Sequence, residues 1–114
     1  LDGVGTEANL EAAMALAHAA CEAREPTACL LLGRIERDTD LPGERAEHLT
    51  RAREHFTRAC ALDLASACTH LGQLYRDGVG VEIDLDYAQR QFTRACELGD
   101  PLGCRQLEHE NPVP

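Results

Sequence analysis

The sequence predicts an all-α fold, an α/α solenoid of about three helical hairpins that are stapled by disulfides. Three observations support this prediction: cysteines recur in pairs at one spacing, the chain repeats itself with a period of 36 to 39 residues, and its apolar residues follow helical spacing. At 114 residues the chain is sized for a single domain, and six short helices are enough to fill it.

The six cysteines share one local pattern, Ala-Cys followed by seven residues and a second cysteine. The pairs are Cys21 with Cys29, Cys60 with Cys68, and Cys96 with Cys104. Eight positions along one helix span about 12 Å, whereas a disulfide needs Cα atoms about 4.4–6.8 Å apart. If the pairs bond locally, the chain must therefore reverse between the two cysteines, as a helix, a tight turn and a second helix would allow.

An internal repeat connects these hairpins. The segment 56–60, Phe-Thr-Arg-Ala-Cys, recurs unchanged at 92–96, and the Asp-Gly-Val-Gly run at 2–5 recurs at 77–80. A period of this length without a strand pattern is typical of an α-solenoid. Since the run at 2–5 opens the chain in the middle of a repeat, we expect residues 1–114 to be a single domain and a fragment of a longer array.

We call the helix before each cysteine turn a B helix and the helix after it an A helix. The predicted B helices cover 9–24, 45–62 and 84–98, and the predicted A helices cover 27–38, 66–77 and 101–110. The predicted caps are Asn9 and Asp84 for B helices, and Glu25 and Asp100 before the prolines that open A helices. Gly3 and Gly78 are expected to take the left-handed backbone that ends an A helix.

Apolar residues at spacings of three and four indicate the buried face of each helix type. On the last B helix they are Leu85, Ala88, Phe92 and Ala95. On the A helix before it they are Leu71, Gly72 and Tyr75. Gly72 is expected to let a neighbouring backbone approach closely.

These residues carry a resemblance to a known family. The run 71–81, Leu-Gly-Gln-Leu-Tyr-Arg-Asp-Gly-Val-Gly-Val, resembles a Sel1-like repeat, as do the positions that follow it: Asp84, Ala88, Phe92, Ala95, Cys96, Leu98, Gly99, Asp100, Gly103 and Cys104. The paired cysteines are similar to those of the secreted, cysteine-rich bacterial branch of that family. Repeat one and the last repeat depart from the motif, because Glu36 and Asn111 replace the tyrosine and Glu108 replaces the glycine.

The resemblance implies tetratricopeptide-like helix pairs in a right-handed superhelix with a concave surface, and adaptor roles through protein binding. Some cysteine-rich members of the family are described as penicillin-binding or β-lactamase-like. A related mitochondrial assembly factor carries the same cysteine hairpins in the intermembrane space.

A disulfide framework predicts an oxidising compartment. We expect export to the periplasm, the cell surface or the medium, or a place in the intermembrane space if the protein is mitochondrial. No apolar run approaches the about 20 residues that span a bilayer, and no basic, apolar leader opens the chain, so any signal peptide was removed or lies upstream. The net charge of −9 argues against nucleic acid and anionic membrane as partners.

The residue inventory argues against an enzyme, and no metal or cofactor is predicted. The chain lacks lysine, and its single serine, Ser66, is followed three positions later by Thr69 instead of the lysine of a Ser-x-x-Lys nucleophile. Zinc sites favour cysteines separated by two to four residues, which these pairs are not. His48 and His55 are expected on a solvated helix face. A penicillin-binding or hydrolytic protein is the alternative function, and a purely structural spacer is a third.

A protein or peptide partner is expected on the A helices. If these helices line the concave surface, one residue set faces the groove, and we call it the A-helix face: Leu30, Arg34, Arg37, Thr69, Gln73, Arg76, Arg105 and His109. Its four arginines and absence of acids suggest an acidic peptide or a C-terminal carboxylate as ligand, because arginine forks suit carboxylates. The alternative is that these arginines pair with Asp38 and Asp77 on a solvated surface.

Overall fold

The structure is a computed structural model that describes the backbone of residues 3–110 and the side chains of residues 9–107. Six helices make up the described part of the chain: α1 (Gly3–Glu22), α2 (Pro26–Asp38), α3 (Arg45–Ala61), α4 (Ala65–Asp77), α5 (Leu85–Glu97) and α6 (Pro101–Glu110). Each helix packs against its neighbours in sequence, and the described residues form an elongated body of 55 × 27 × 23 Å. The predicted all-α solenoid is confirmed; α1, α3 and α5 are the B helices.

The first helix is longer than predicted. It begins at Gly3, not at residue 9, so Asn9 and Gly3 both lie inside α1 and the cap and left-handed turn predicted for them are wrong. Glu7 and Ala8 are good helix formers, and no proline interrupts the segment, so the helix continues through it. The other helices begin and end within one residue of the predicted bounds.

All three B-to-A turns have the same backbone conformation. A left-handed residue follows each B helix: Arg24 at φ 68°, Asp63 at φ 67° and Gly99 at φ 104°. In each turn this residue donates its N–H three positions back, and the next residue donates five positions back, as Glu25 does to the Ala20 carbonyl at 3.0 Å. This is the Schellman arrangement, which satisfies the free carbonyls at a helix end. The next helix then starts at once.

This shared turn brings each cysteine pair together. The Cα atoms of the three pairs are 4.7 to 4.8 Å apart, and all three disulfides of the predicted pairing are present. The structure contains no free cysteine in the part it describes. The predicted disulfide-stapled hairpins are therefore confirmed.

Two of the four predicted caps are present, whereas those of Asn9 and Glu25 are not. The Asp84 carboxylate accepts the Tyr87 N–H at 3.0 Å, and the Asp100 carboxylate accepts the Leu102 N–H at 3.1 Å. Gly78 ends α4 at φ 71°, as predicted. The Glu25 side chain makes no capping bond, because the longer glutamate chain suits the N-cap geometry less well than aspartate.

Two buried phenylalanines pack between an A helix and the B helix that follows it. A Cβ built at Gly33 would lie 2.6 Å from the Phe56 ring, and one at Gly72 would lie 2.6 Å from the Phe92 ring. Gly72 thus accommodates an aromatic ring, not the neighbouring backbone that its position suggested. Ala88, Phe92 and Ala95 are buried as predicted.

Leu85 differs from that prediction, since 52% of its surface is exposed. It is the first residue of α5, where the helix enters from the loop. The apolar spacing correctly describes the interior of the helix but not its first position.

Candidate functional site

Burial divides the A-helix face into accessible and inaccessible positions. Arg34 on α2 and Arg105 on α6 are exposed, whereas Leu30 and Gln73 are half-buried. Thr69 is 1% exposed, so its predicted place on an open surface is wrong. The side chain of His109, within α6, lies outside the described residues.

Thr69 is buried because it connects two repeats. Its hydroxyl donates to a carboxylate oxygen of Asp100 at 2.6 Å, and the other oxygen of that carboxylate caps α6. The equivalent positions in the preceding repeat are Leu30 and Leu64, which both pack on the apolar core. These two positions are therefore polar in one repeat and apolar in the other.

The guanidinium of Arg37 is already bound by other side chains of the protein. Its Nε and Nη2 donate to both carboxylate oxygens of Asp38, at 2.7 and 2.9 Å, and its Nη1 lies 2.9 Å from His70 Nδ1 on α4. The guanidinium also lies over the Phe56 ring, 5.3 Å from its centre. Its hydrogen bonds lower the pKa of Asp38 below its ordinary value.

Arg76 repeats this arrangement one unit further on. Its Nε and Nη2 donate to Asp77 at 2.9 and 3.0 Å, its Nη1 donates to Gln106 Oε1 on α6, and it lies over the Phe92 ring. The hydrogen bond from Arg76 lowers the pKa of Asp77. Both of these arginines therefore pair with the aspartates considered as the alternative.

A buried carboxylate is a feature that the sequence reading missed. Glu36 is 1% exposed; it accepts from Arg51 Nε at 2.7 Å, and its other oxygen lies 2.7 Å from His55 Nδ1. The latter two atoms lie close together but are not aligned as a hydrogen bond. Burial, partly offset by Glu36, lowers the pKa of His55.

His48 belongs to the same cluster. Its Nε2 lies 2.7 Å from the Pro42 carbonyl, and its Nδ1 lies 2.8 Å from Arg51 Nη2. A carbonyl only accepts and arginine only donates, so these contacts fit the tautomer with its hydrogen on Nε2. The expected solvated face for His48 and His55 is wrong, because both side chains turn towards α2 and the loop after it.

The equivalent positions in the next repeat explain this cluster. Glu36 corresponds to Tyr75 and Arg51 corresponds to Tyr87, and the two tyrosine rings are in contact with centres 4.3 Å apart. An aromatic pair in one repeat is thus replaced by an ion pair in the other. The sequence signal that would have revealed this ion pair is that both positions differ from the tyrosines of the next repeat.

Side chains that could bind a metal are not clustered in the described part of the chain. No three histidine, cysteine, aspartate or glutamate side chains among them gather as a possible metal site. None of the described helices is both long enough and apolar enough to cross a bilayer.

Comparisons with known proteins agree with this architecture. The sequence model of one family, the Sel1 repeat, matches residues 1–24, 26–64 and 65–100. Each boundary falls in a B-to-A turn, so the last two matched units are an A helix followed by a B helix. The first two disulfides therefore join one matched unit to the next.

Two curated proteins are similar to the chain over 77 residues. They are cytochrome c oxidase assembly factor 7A of Xenopus laevis, at 31% identity, and cytochrome c oxidase assembly factor 7 of Xenopus tropicalis, at 29%. The match covers 67% of this chain and only 33% of each relative. The chain thus matches about a third of the length of either protein.

A solved structure shares the fold. The crystal structure of a Sel1 repeat protein from Oxalobacter formigenes aligns with 84% of this chain and 38% of its own, with a TM-score of 0.73 and 21% sequence identity.

Proposed function

Because the chain belongs to the Sel1 repeat family, we propose that it is a non-enzymatic scaffold that binds a protein or peptide partner in an oxidising compartment. Three disulfides support the choice of compartment, since such bonds persist where thiols are not kept reduced. The names of the curated relatives describe assembly factors. Holding a partner during assembly is a task that a scaffold without catalytic groups can perform.

The observation that carries this proposal is the pair of exposed arginines on the A-helix face. Arg34 and Arg105 lie on α2 and α6, with α4 between them. Successive packed helices are about 8–10 Å apart, so the two guanidinium groups mark a track of about 20 Å. An extended peptide of about six residues has this length.

The partner that fits this track is an extended acidic peptide. Carboxylates at the two ends of this peptide would accept bidentate hydrogen bonds from Arg34 and Arg105. Arg37 and Arg76 contribute differently, because each already forms a fork with an aspartate and holds neighbouring A helices together. The overall charge of −9 would disfavour such a peptide elsewhere on the protein.

Selection from a random peptide library tests this function. The oxidised protein should enrich peptides with acidic residues spaced about six apart, and their binding should weaken as salt rises. The variant Arg34→Ala/Arg105→Ala should lose most of this binding without loss of helix content. The control Arg58→Ala/Arg94→Ala removes the same charge from the B helices and should bind as before. Equal binding by the two double variants, or enrichment of non-acidic peptides, would contradict the proposal.

A further inference from the structure

Two equivalent side-chain contacts connect successive A helices, and we call them joints. They differ in the residue that accepts a hydrogen bond from the arginine. At the α2–α4 joint, Arg37 Nη1 lies 2.9 Å from His70 Nδ1. At the α4–α6 joint, Arg76 Nη1 bonds Gln106 Oε1. His70 and Gln106 occupy the same position of the repeat, 36 residues apart. One joint therefore uses a titratable acceptor and the other does not.

The contact at the α2–α4 joint fixes the protonation state of His70. Arginine carries only donors, so His70 Nδ1 must offer a lone pair, and the imidazole is neutral with any hydrogen on Nε2. A second proton would occupy Nδ1 and place an N–H against the guanidinium of Arg37. It would also set two positive charges within hydrogen-bond distance of each other. The amide oxygen of Gln106 has no such second state.

Three structural elements surround the His70 ring. The Phe56 ring of α3 stacks on it, with centres 5.1 Å apart and planes 20° apart. Arg34 and Arg37 face it from α2, and Asp38 and Asp100 are the nearby acids. Burial, together with the two arginines, lowers the pKa of His70 below its ordinary value, against the opposing effect of the two aspartates.

We propose that the α2–α4 joint is an acid-sensitive hinge. Protonation of His70 breaks its contact with Arg37 and loosens α2 from α4, while α2 stays packed on α3 and the α4–α6 joint keeps its contact. The A-helix face thus changes its curvature at one defined place when the surroundings acidify. This device is independent of which partner the face binds.

The direction of the pH effect follows from the lowered pKa. An unfolded chain takes up a proton on this histidine as pH falls through about 6.5, before the folded protein does. The joint's contribution to stability is therefore complete above that pH. It is lost progressively as pH falls towards the folded-state pKa, because the unfolded state then binds more protons.

The matched variant His70→Gln places at the α2–α4 joint the same acceptor residue that Gln106 provides at the α4–α6 joint. The difference between the two thermal midpoints at about pH 7.5 is the reference, and at about pH 5 the wild type should lose several degrees relative to His70→Gln. His55 is present in both proteins, so its own titration cancels in the difference. Nitrogen chemical shifts of the His70 ring should report a hydrogen on Nε2 at neutral pH. A difference that does not vary with pH, or a hydrogen on Nδ1, would overturn the proposal.

Two further measurements distinguish a hinge controlled by His70 from a buried histidine that affects only overall stability. Amide-exchange protection of α2, relative to α4, should fall several-fold on acidification in the wild type and not in His70→Gln. The reciprocal variant Gln106→His should make α6 acid-sensitive in the same way. Uniform loss of protection in all helices, or an α6 that Gln106→His leaves insensitive, would show that the joint is not a switch.

Discussion

At the scale of single residues, the B-to-A turns show how one backbone conformation tolerates different side chains. The left-handed position is glycine only in the last turn; arginine and aspartate occupy it in the first two. A side chain in this conformation brings Cβ close to the backbone and costs about 1 kcal/mol. The first two turns therefore carry strain that the third avoids.

Exchanging these residues should shift stability in opposite directions. Arg24→Gly should raise the free energy of unfolding by about 0.5–1 kcal/mol, and Gly99→Ala should lower it by about 1 kcal/mol. No atom lies within 4 Å of a Cβ built at Gly99, so the second change tests the backbone alone. Urea unfolding of the oxidised protein measures both values. Changes of the same sign would show that contacts, not the backbone conformation, dominate.

Ser66 is a second residue on which a clear expectation rests. It lies in the first turn of α4, and no lysine exists in the chain to activate it. We expect no acyl-enzyme, so the intact mass should be unchanged after incubation with a penicillin. A stable adduct on Ser66 would restore the hydrolytic alternative.

At the scale of helix pairs, the sequence predicted the pair that follows the repeat motif, α4 and α5, better than the pair that departs from it, α2 and α3. Repeat two follows the motif, and α4 and α5 were placed within one residue. In repeat one, Glu36 looked like a simple departure from the motif, because its partner Arg51 lies 15 positions away on another helix. Helical spacing identifies which residues share a face, but it does not pair residues across two helices.

The Glu36–Arg51 pair should depend strongly on both members. Arg51→Met leaves a buried carboxylate without its main partner and should cost about 3 kcal/mol of unfolding free energy. The control Arg94→Met removes a partner from Asp63, which is largely exposed, and should cost less than about 1 kcal/mol. The double change Glu36→Tyr/Arg51→Tyr copies the tyrosine pair of repeat two and should recover most of the loss. A double variant no more stable than Arg51→Met would contradict the equivalence of the two pairs.

At the scale of the whole molecule, the disulfides act between repeats. A solenoid is stabilised by the repeats themselves and by the interfaces between neighbours. Here the first two disulfides join matched units, as does the contact of Arg37 with His70. The sequence predicted the bonds from their spacing, yet it could not show which arginines of the A-helix face were already paired, since that depends on side-chain conformation.

Removing one disulfide should weaken the array by a predictable amount. Cys60→Ala/Cys68→Ala opens a nine-residue loop and should lower the free energy of unfolding by about 2.5 kcal/mol, according to the chain-entropy account. Denaturant unfolding without reductant measures this loss. Peptide mapping of the wild type should find only the three bonds within the turns. A link between cysteines of different turns would contradict the hairpin arrangement.

The position of these bonds also determines how the molecule would respond to mechanical tension. All three lie at the B-to-A turns, so every covalent crosslink is at the same edge of the helical stack, and every A-to-B loop at the opposite edge is held by noncovalent contacts alone. A pulling force along the chain would pass through sulfur at each turn and bypass the seven residues between paired cysteines. The chain would therefore lengthen by opening at the A-to-B loops, and the turns would stay closed until a reductant cut them.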